Sequence, residues 1–149
     1  YKMAAEQGHA EAQRKVGYMY DFGRGVQKSH MEAVSWYSKA AEKGDAKAQR
    51  NLALMYRDGE GVQQSYASAK EWFHKAANQG LPEAQNNLGQ LCANALEEDS
   101  EAAEWYLKAA NQGDTYAQYN LGMMYHKGKG VQKSSSEAMM WLLKAADLG

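Results

Sequence analysis

The chain has 149 residues, 44% of them hydrophobic and 23% charged, with a formal charge of −1; this is ordinary soluble-protein composition and excludes a disordered chain. Pro82 is the lone proline, β-branched residues are few, and Ala, Gln, Glu and Lys abound, so helix is expected almost throughout and an all-β fold is excluded. The near-neutral charge supplies no positive field for nucleic acid, no apolar run reaches the roughly 18 residues of a membrane span, and Cys92 has no second cysteine to pair with. At the start, Tyr1 leads into Lys2-Met3-Ala4-Ala5 without an initiator Met or a charged-then-apolar leader, so residues 1–8 read as the tail of a truncated unit cut from a longer chain. Next, Ala12, Val16, Met19 and Tyr20 recur on one arc at 100° per residue and predict a helix A over about residues 10 to 21. Ala33, Tyr37, Ala40 and Ala41, with Trp36 on the flank, then predict a helix B that closes at Gly44.

The same pair recurs along the chain. Trp36, Trp72, Trp105 and Trp141 stand 36, 33 and 36 residues apart, and all fourteen glycines fall into three classes. Gly8, Gly44, Gly80, Gly113 and Gly149 end repeats; Gly17, Gly89 and Gly122 lie in mid-helix; Gly23/Gly25, Gly59/Gly61 and Gly128/Gly130 form loop pairs. Four repeats follow, at 9–44, 45–80, 81–113 and 114–149, and a period of this size means a solenoid. Asp45 and Asp114 are expected to cap helix A, Pro82 to occupy its first turn, and Ser29-x-x-Glu32 and Ser134-x-x-Glu137 to open helix B as capping boxes. The paired alanines Ala40/Ala41, Ala76/Ala77, Ala109/Ala110 and Ala145/Ala146 let helices approach closely, with Trp and Tyr filling the space between.

A unit written Ala-Gln-x-x-[Val/Leu]-Gly/Ala-x-Met-Tyr, then Gly-x-Gly-Val-Gln, then Ala-x-x-Trp-Tyr-x-Lys-Ala-Ala-x-x-Gly resembles the Sel1-like repeat, a relative of the tetratricopeptide repeat. In the second unit its carriers are Ala48-Gln49, Leu52-Ala53, Met55-Tyr56, Gly59-Glu60-Gly61-Val62, Ala69, Trp72-Phe73, Lys75-Ala76-Ala77 and Gly80. The resemblance covers the whole chain. It implies an all-α fold, a right-handed α-solenoid of stacked antiparallel helix pairs, used mainly as an adaptor or receptor surface for other proteins. Members are common in bacteria, often exported or surface-associated, which leans the localisation toward a bacterial extracytoplasmic space. Four pairs at roughly 10 Å each give an expected arc of about 40 Å.

The third repeat departs from the pattern. It is three residues shorter and runs Ala93-Asn94-Ala95-Leu96-Glu97-Glu98-Asp99-Ser100 where the others carry Gly-x-Gly. With helix-favouring residues there, its helix A is expected to extend further and turn more tightly into helix B. This repeat is also acidic: the four repeats carry net charges of +2, +1, −5 and +1. Glu97, Glu98, Asp99, Glu101 and Glu104 therefore offer an attraction for a basic surface or a plain solvated face.

Residues opposite the core arc of helix A are expected to line a concave groove. In order they are Glu11, Arg14, Tyr18 and Asp21; Lys47, Arg50, Leu54 and Arg57; Glu83, Asn86, Gln90 and Ala93; Tyr116, Tyr119, Met123 and His126. Arg groups suit carboxylates and Tyr groups give apolar contact at low entropy cost, so a protein or peptide partner is expected to touch Arg14, Tyr18, Arg50, Leu54, Arg57, Asn86, Gln90, Tyr116, Tyr119, Met123 and His126. Lys39, Lys75, Lys108 and Lys144 recur on helix B, where Glu71–Lys75 and Glu104–Lys108 are spaced to pair. Met140 and Leu143 lie on the side of the last helix B away from its partner helix, a face for a further repeat or for self-association.

Catalytic motifs are not found. Gly23-Arg24-Gly25-Val26 follows a helix and lacks the third glycine of a dinucleotide loop, and His9, His30, His74 and His126 occupy four different repeat registers, so no cofactor or metal is expected. Cys92 takes the place of Tyr20, Tyr56 and Tyr125 and reads as a core residue. The expected function is a non-enzymatic protein-binding scaffold. A small-ligand or hydrolytic site near Tyr119 and His126, and an oligomerising segment, are the alternatives.

Overall fold

A computed structural model describes residues 2–147; Tyr1, Leu148 and Gly149 lie outside the described residues, and with Gly149 the expected end of the fourth repeat. The described residues form an all-α helical repeat solenoid with no strand. Its helices are α1 (Lys2–Glu6), α2 (Ala10–Phe22), α3 (His30–Glu42), α4 (Ala46–Asp58), α5 (Tyr66–Asn78), α6 (Pro82–Asn94), α7 (Asp99–Asn111), α8 (Thr115–Lys127) and α9 (Ser135–Asp147). The chain divides between Gln79 and Gly80 into two compact units. In the first, α1 through α5 pack each against the next; in the second, α6 through α9 do the same. The helices A are thus α2, α4, α6 and α8, and the helices B are α3, α5, α7 and α9.

Local chemistry sets the helix ends. Asp45 and Asp114 accept the N–H of Ala48 and Ala117, each at 2.8 Å, and Pro82 stands in the first turn of α6. At the far end of α3, the Gly44 N–H donates to the Ala41 carbonyl and that of Asp45 to the Ala40 carbonyl. That pattern closes the helix through a left-handed glycine, φ +88°. The expected capping boxes form by half: Ser29 and Ser134 accept the N–H of Glu32 and Glu137 at 3.3 Å. Their own N–H groups are already committed to the carbonyls of Tyr20 and Tyr125, at 2.9 and 3.0 Å, which removes the donor that the Glu side chain would need.

That last bond accounts for the short third repeat. In the first, second and fourth repeats the N-cap residue of helix B, nine positions after the last-turn Tyr of helix A, donates to that Tyr's carbonyl. In the third, Glu98 donates to Cys92, six positions back, at 2.8 Å. The expected extension of helix A does not occur, because α6 has 13 residues like α2, α4 and α8. The missing three residues come out of the connection, which turns at Glu97 with φ +57°, the one non-glycine with positive φ among the described residues.

The core lies between helices. Ala33, Tyr37, Ala40 and Ala41 of α3 meet Ala48, Leu52 and Met55 of α4. In the second unit Gly89 of α6 abuts the Tyr106 ring so closely that a Cβ there would lie 2.7 Å from a ring carbon. Cys92 is fully buried, as its register required. Gln13, Gln49, Gln85 and Gln118, the glutamines of the Ala-Gln pairs, are also buried; Gln49 and Gln118 donate to the carbonyls of Ala41 and Ala110 at 3.1 and 3.2 Å, tying helix A to the helix B before it. Of the lysines on helix B, Lys75 pairs with Glu71 at 2.8 Å.

All four lysines also share a second role. Each ammonium stands over the tryptophan three residues earlier, at 4.3, 4.0, 3.8 and 4.3 Å from the ring centroid for Lys39, Lys75, Lys108 and Lys144. Removing one, as in Lys108→Ala, is expected to cost about 0.5–1 kcal/mol. The Trp105→Leu background should abolish most of that cost in a double-mutant cycle by urea denaturation; an unchanged cost there would contradict the cation–ring contact.

Candidate functional site

The helix-A faces of the first unit are built by α2 and α4. Tyr18 is 38% exposed and its ring stacks on that of Phe22, centroids 4.5 Å apart, with the Arg24 guanidinium 5.2 Å from the Tyr18 centroid. The i,i+4 spacing of Tyr18 and Phe22 puts both rings on one stripe. Arg14 is half-buried and donates from Nε to Asp45 at 3.1 Å, so the carboxylate that caps α4 also holds this guanidinium. Arg57 makes two bonds of 2.7 Å to Asp58, and this pairing raises its pKa above the ordinary guanidinium value. Arg50 and Leu54 are half-buried, and with Tyr18 and Arg57 they line a cleft of about 450 Å³. Inside that cleft His30 Nδ1 lies 3.0 Å from Asp21, and the buried Tyr37 hydroxyl donates to Asp21 at 3.4 Å. Burial first, and the Asp21 charge second, push the Tyr37 phenol far above its ordinary pKa, so it remains a proton donor to that carboxylate.

The second unit repeats the arrangement with other chemistry. Tyr116 and Tyr119 on α8 are 76% and 53% exposed, one turn apart, and Met123 follows one turn further. His126 is exposed and Gln90 half-buried. Asn86 is buried, and its Oδ1 accepts from Asn120 at 3.2 Å, a commitment across α6 and α8 that a helical wheel drawn for α6 alone does not contain. The cleft equivalent to that of the first unit measures about 170 Å³ and is lined by Ala93, Asp99, Tyr106, Asn120, Met123 and Lys129 among others. Neither Tyr119 nor His126 lines it. The acidic run is partly used within the chain: Glu101 accepts the Trp105 indole N–H at 3.4 Å, and Lys129 stands 3.9 Å from Asp99.

Of the eleven expected contact residues, then, Tyr18, Tyr116, Tyr119 and His126 are exposed, while Arg14, Arg57 and Asn86 are engaged inside their own unit. Asp21, His30 and Glu60 are a grouping that sequence reading missed, because they come from the end of one helix, the start of the next and a loop of the following repeat. On α9, Met139, Met140 and Leu143 are 60%, 39% and 55% exposed. No helix of the described residues is long and apolar enough to cross a membrane.

Successive helix pairs, three of the four joined by a glycine loop, with outward aromatic stripes on α2 and α8, define a helical-repeat protein. The Sel1 repeat family model matches residues 1–9, 10–45, 46–81, 82–114 and 115–149, and the chain belongs to that family. Proteins with Sel1 repeats generally mediate protein–protein interaction and typically act as scaffolds. The chain is similar to c5321, a protective antigen of uropathogenic Escherichia coli strains with an SLR fold: 40% identity, TM-score 0.94, covering 99% of this chain and 32% of that one. It is also similar to a Sel1 repeat protein from Oxalobacter formigenes, at 35% identity and TM-score 0.90, covering 98% of this chain and 59% of that one. Immunity protein Pa5087 from Pseudomonas aeruginosa shares 26% identity at TM-score 0.62, covering 97% of this chain and 55% of that one. The chain therefore spans less than two thirds of the length of each of these relatives. No curated protein matches it.

Proposed function

We propose that the chain is a non-enzymatic binding module that holds a partner protein or peptide against the outward faces of its helices A. The observation that carries this reading is the pair Tyr116 and Tyr119, 76% and 53% exposed on one stripe with Met123. Large aromatics left in water on a rigid helix are costly unless a partner covers them, and Tyr is among the residues that dominate binding energies. Tyr18 and Phe22 provide a second such stripe in the first unit, and Arg50, with its cleft, an anchor for a carboxylate. The fold is suited to this because its helices are fixed by packing, so little order is lost on binding.

The test is capture of partners by the purified chain and by Tyr119→Ala and Arg50→Glu, with identification by mass spectrometry. The module reading expects one specific partner with the parent and at least a tenfold weaker interaction for Tyr119→Ala, the loss of about 1.4 kcal/mol or more that a contact aromatic supplies. Equal affinity of all three proteins would remove the helix-A faces from the account. A second reading, association of copies through Met139, Met140 and Leu143, is supported by the exposure of these three apolar residues. It expects a mass that rises with concentration and falls back to monomer in Leu143→Glu.

A further inference from the structure

We propose that Asp21, His30 and Glu60 form a binding site for a divalent transition-metal ion of the zinc type. One ligand atom from each lies within 4.8 Å of the others. His30 Nδ1 and Asp21 Oδ1 are 3.0 Å apart. With metal–ligand bonds of about 2.1 Å, neighbouring donors on one ion stand about 3.0–3.4 Å apart, so this pair already has the required bite. One imidazole and two carboxylates favour Zn²⁺, Co²⁺ or Mn²⁺ over Mg²⁺ and Ca²⁺.

The backbone assembles the three ligands. Asp21 is in the last turn of α2 and His30 is the first residue of α3. Glu60 belongs to the glycine loop after α4, and Gly61 presses on the His30 carbonyl with no room for a side chain between them. The loop therefore delivers position 60 to the start of α3. Behind the ligands, Tyr37 donates its hydroxyl to the second oxygen of Asp21 at 3.4 Å, the kind of outer-shell bond that orients a ligating carboxylate.

The second unit supplies an internal control. There the three positions are Ala93, Asp99 and Lys129, and the Lys129 ammonium stands 3.9 Å from Asp99. The protein thus places its own cation at this point of one cleft, whereas in the other cleft the same position carries Glu60, which adds a negative charge beside Asp21. Lys28, Arg50 and Arg57 also line the first cleft and oppose a cation; Arg57 is matched first by its two bonds to Asp58, with the Glu60 charge a smaller influence on it.

The experiment is titration of the purified chain with Co²⁺, read by visible absorption, and with Zn²⁺, read by calorimetry. One equivalent of saturable binding is expected. His30→Ala and Glu60→Lys should each weaken it at least tenfold, while His126→Ala binds as the parent does. Glu60 is an exposed loop residue, so Glu60→Lys keeps its helical circular dichroism and provides the decisive comparison even if His30→Ala unfolds. Binding by Glu60→Lys equal to that of the parent, or no saturation by either ion up to about 1 mM, would overturn the site.

Discussion

Replacing Phe73 by Ala is expected to lower the free energy of unfolding by about 3–5 kcal/mol. The side chain is fully buried on α5, and α5 packs along α4. It holds the register of Tyr37, Tyr106 and Leu142, which in their repeats press on Gly17, Gly89 and Gly122; here the facing position is Ala53. Small residues on helix A leave a slot, and the large residue on helix B fills it. Deleting the ring removes both its transfer free energy and the contacts of the slot, and the close backbone approach set by the alanines keeps the cavity from collapsing. Urea denaturation followed by circular dichroism measures the change. A loss below about 1 kcal/mol, the scale of a surface substitution, would mean that the slot is not the core of the module.

The second large effect is expected at Gly130. Its φ is +65°, and a Cβ would run into the backbone carbonyl of Asp99. Gly130→Ala therefore incurs a left-handed backbone cost of about 1–2 kcal/mol and, in addition, an overpacking cost of about 1–3 kcal/mol, since backbone cannot swing away as a side chain can. Gly113→Ala is the matched control: φ is +89° but nothing lies within 4 Å of the added carbon, so only the first cost applies. Denaturant midpoints should rank parent, then Gly113→Ala, then Gly130→Ala. Equal losses at the two sites would show that the loop does not rest on the start of α7.

These two positions also mark how far the sequence could be read. The repeat was legible because tryptophan is rare, and packing between like modules holds tryptophan and glycine to a recurring spacing. Asp45, Asp114 and Pro82 were legible as caps because capping is local chemistry. For the third repeat the tighter turn into helix B is found but the longer helix A is not: Ala, Leu and Glu favour helix, yet α6 stops at Asn94 and the chain turns at Glu97 to bring the Glu98 N–H onto the Cys92 carbonyl, a closure that outweighs a few tenths of a kcal/mol per residue. The site was legible only in part. A helical wheel draws Arg14, Arg57 and Asn86 as outward, but Asn86 is buried and Arg14 and Arg57 are half-buried; their partners Asp45, Asp58 and Asn120 belong to another repeat or to a rotamer choice, and no wheel contains those. The lysines over tryptophan were within reach, since the three-residue spacing recurs in every repeat; the signal was there as a pair and was read as two separate residues.

Side-chain oxidation footprinting of the chain with and without its captured partner tests the central claim most directly, because it reports on individual side chains of both faces in one experiment. The account predicts that Tyr18, Phe22, Tyr116, Tyr119 and Met123 become protected in the complex, while Met31 and Leu107, exposed on helices B, keep their reactivity. Protection of Met31 and Leu107 with the tyrosines of α8 left unchanged would contradict it.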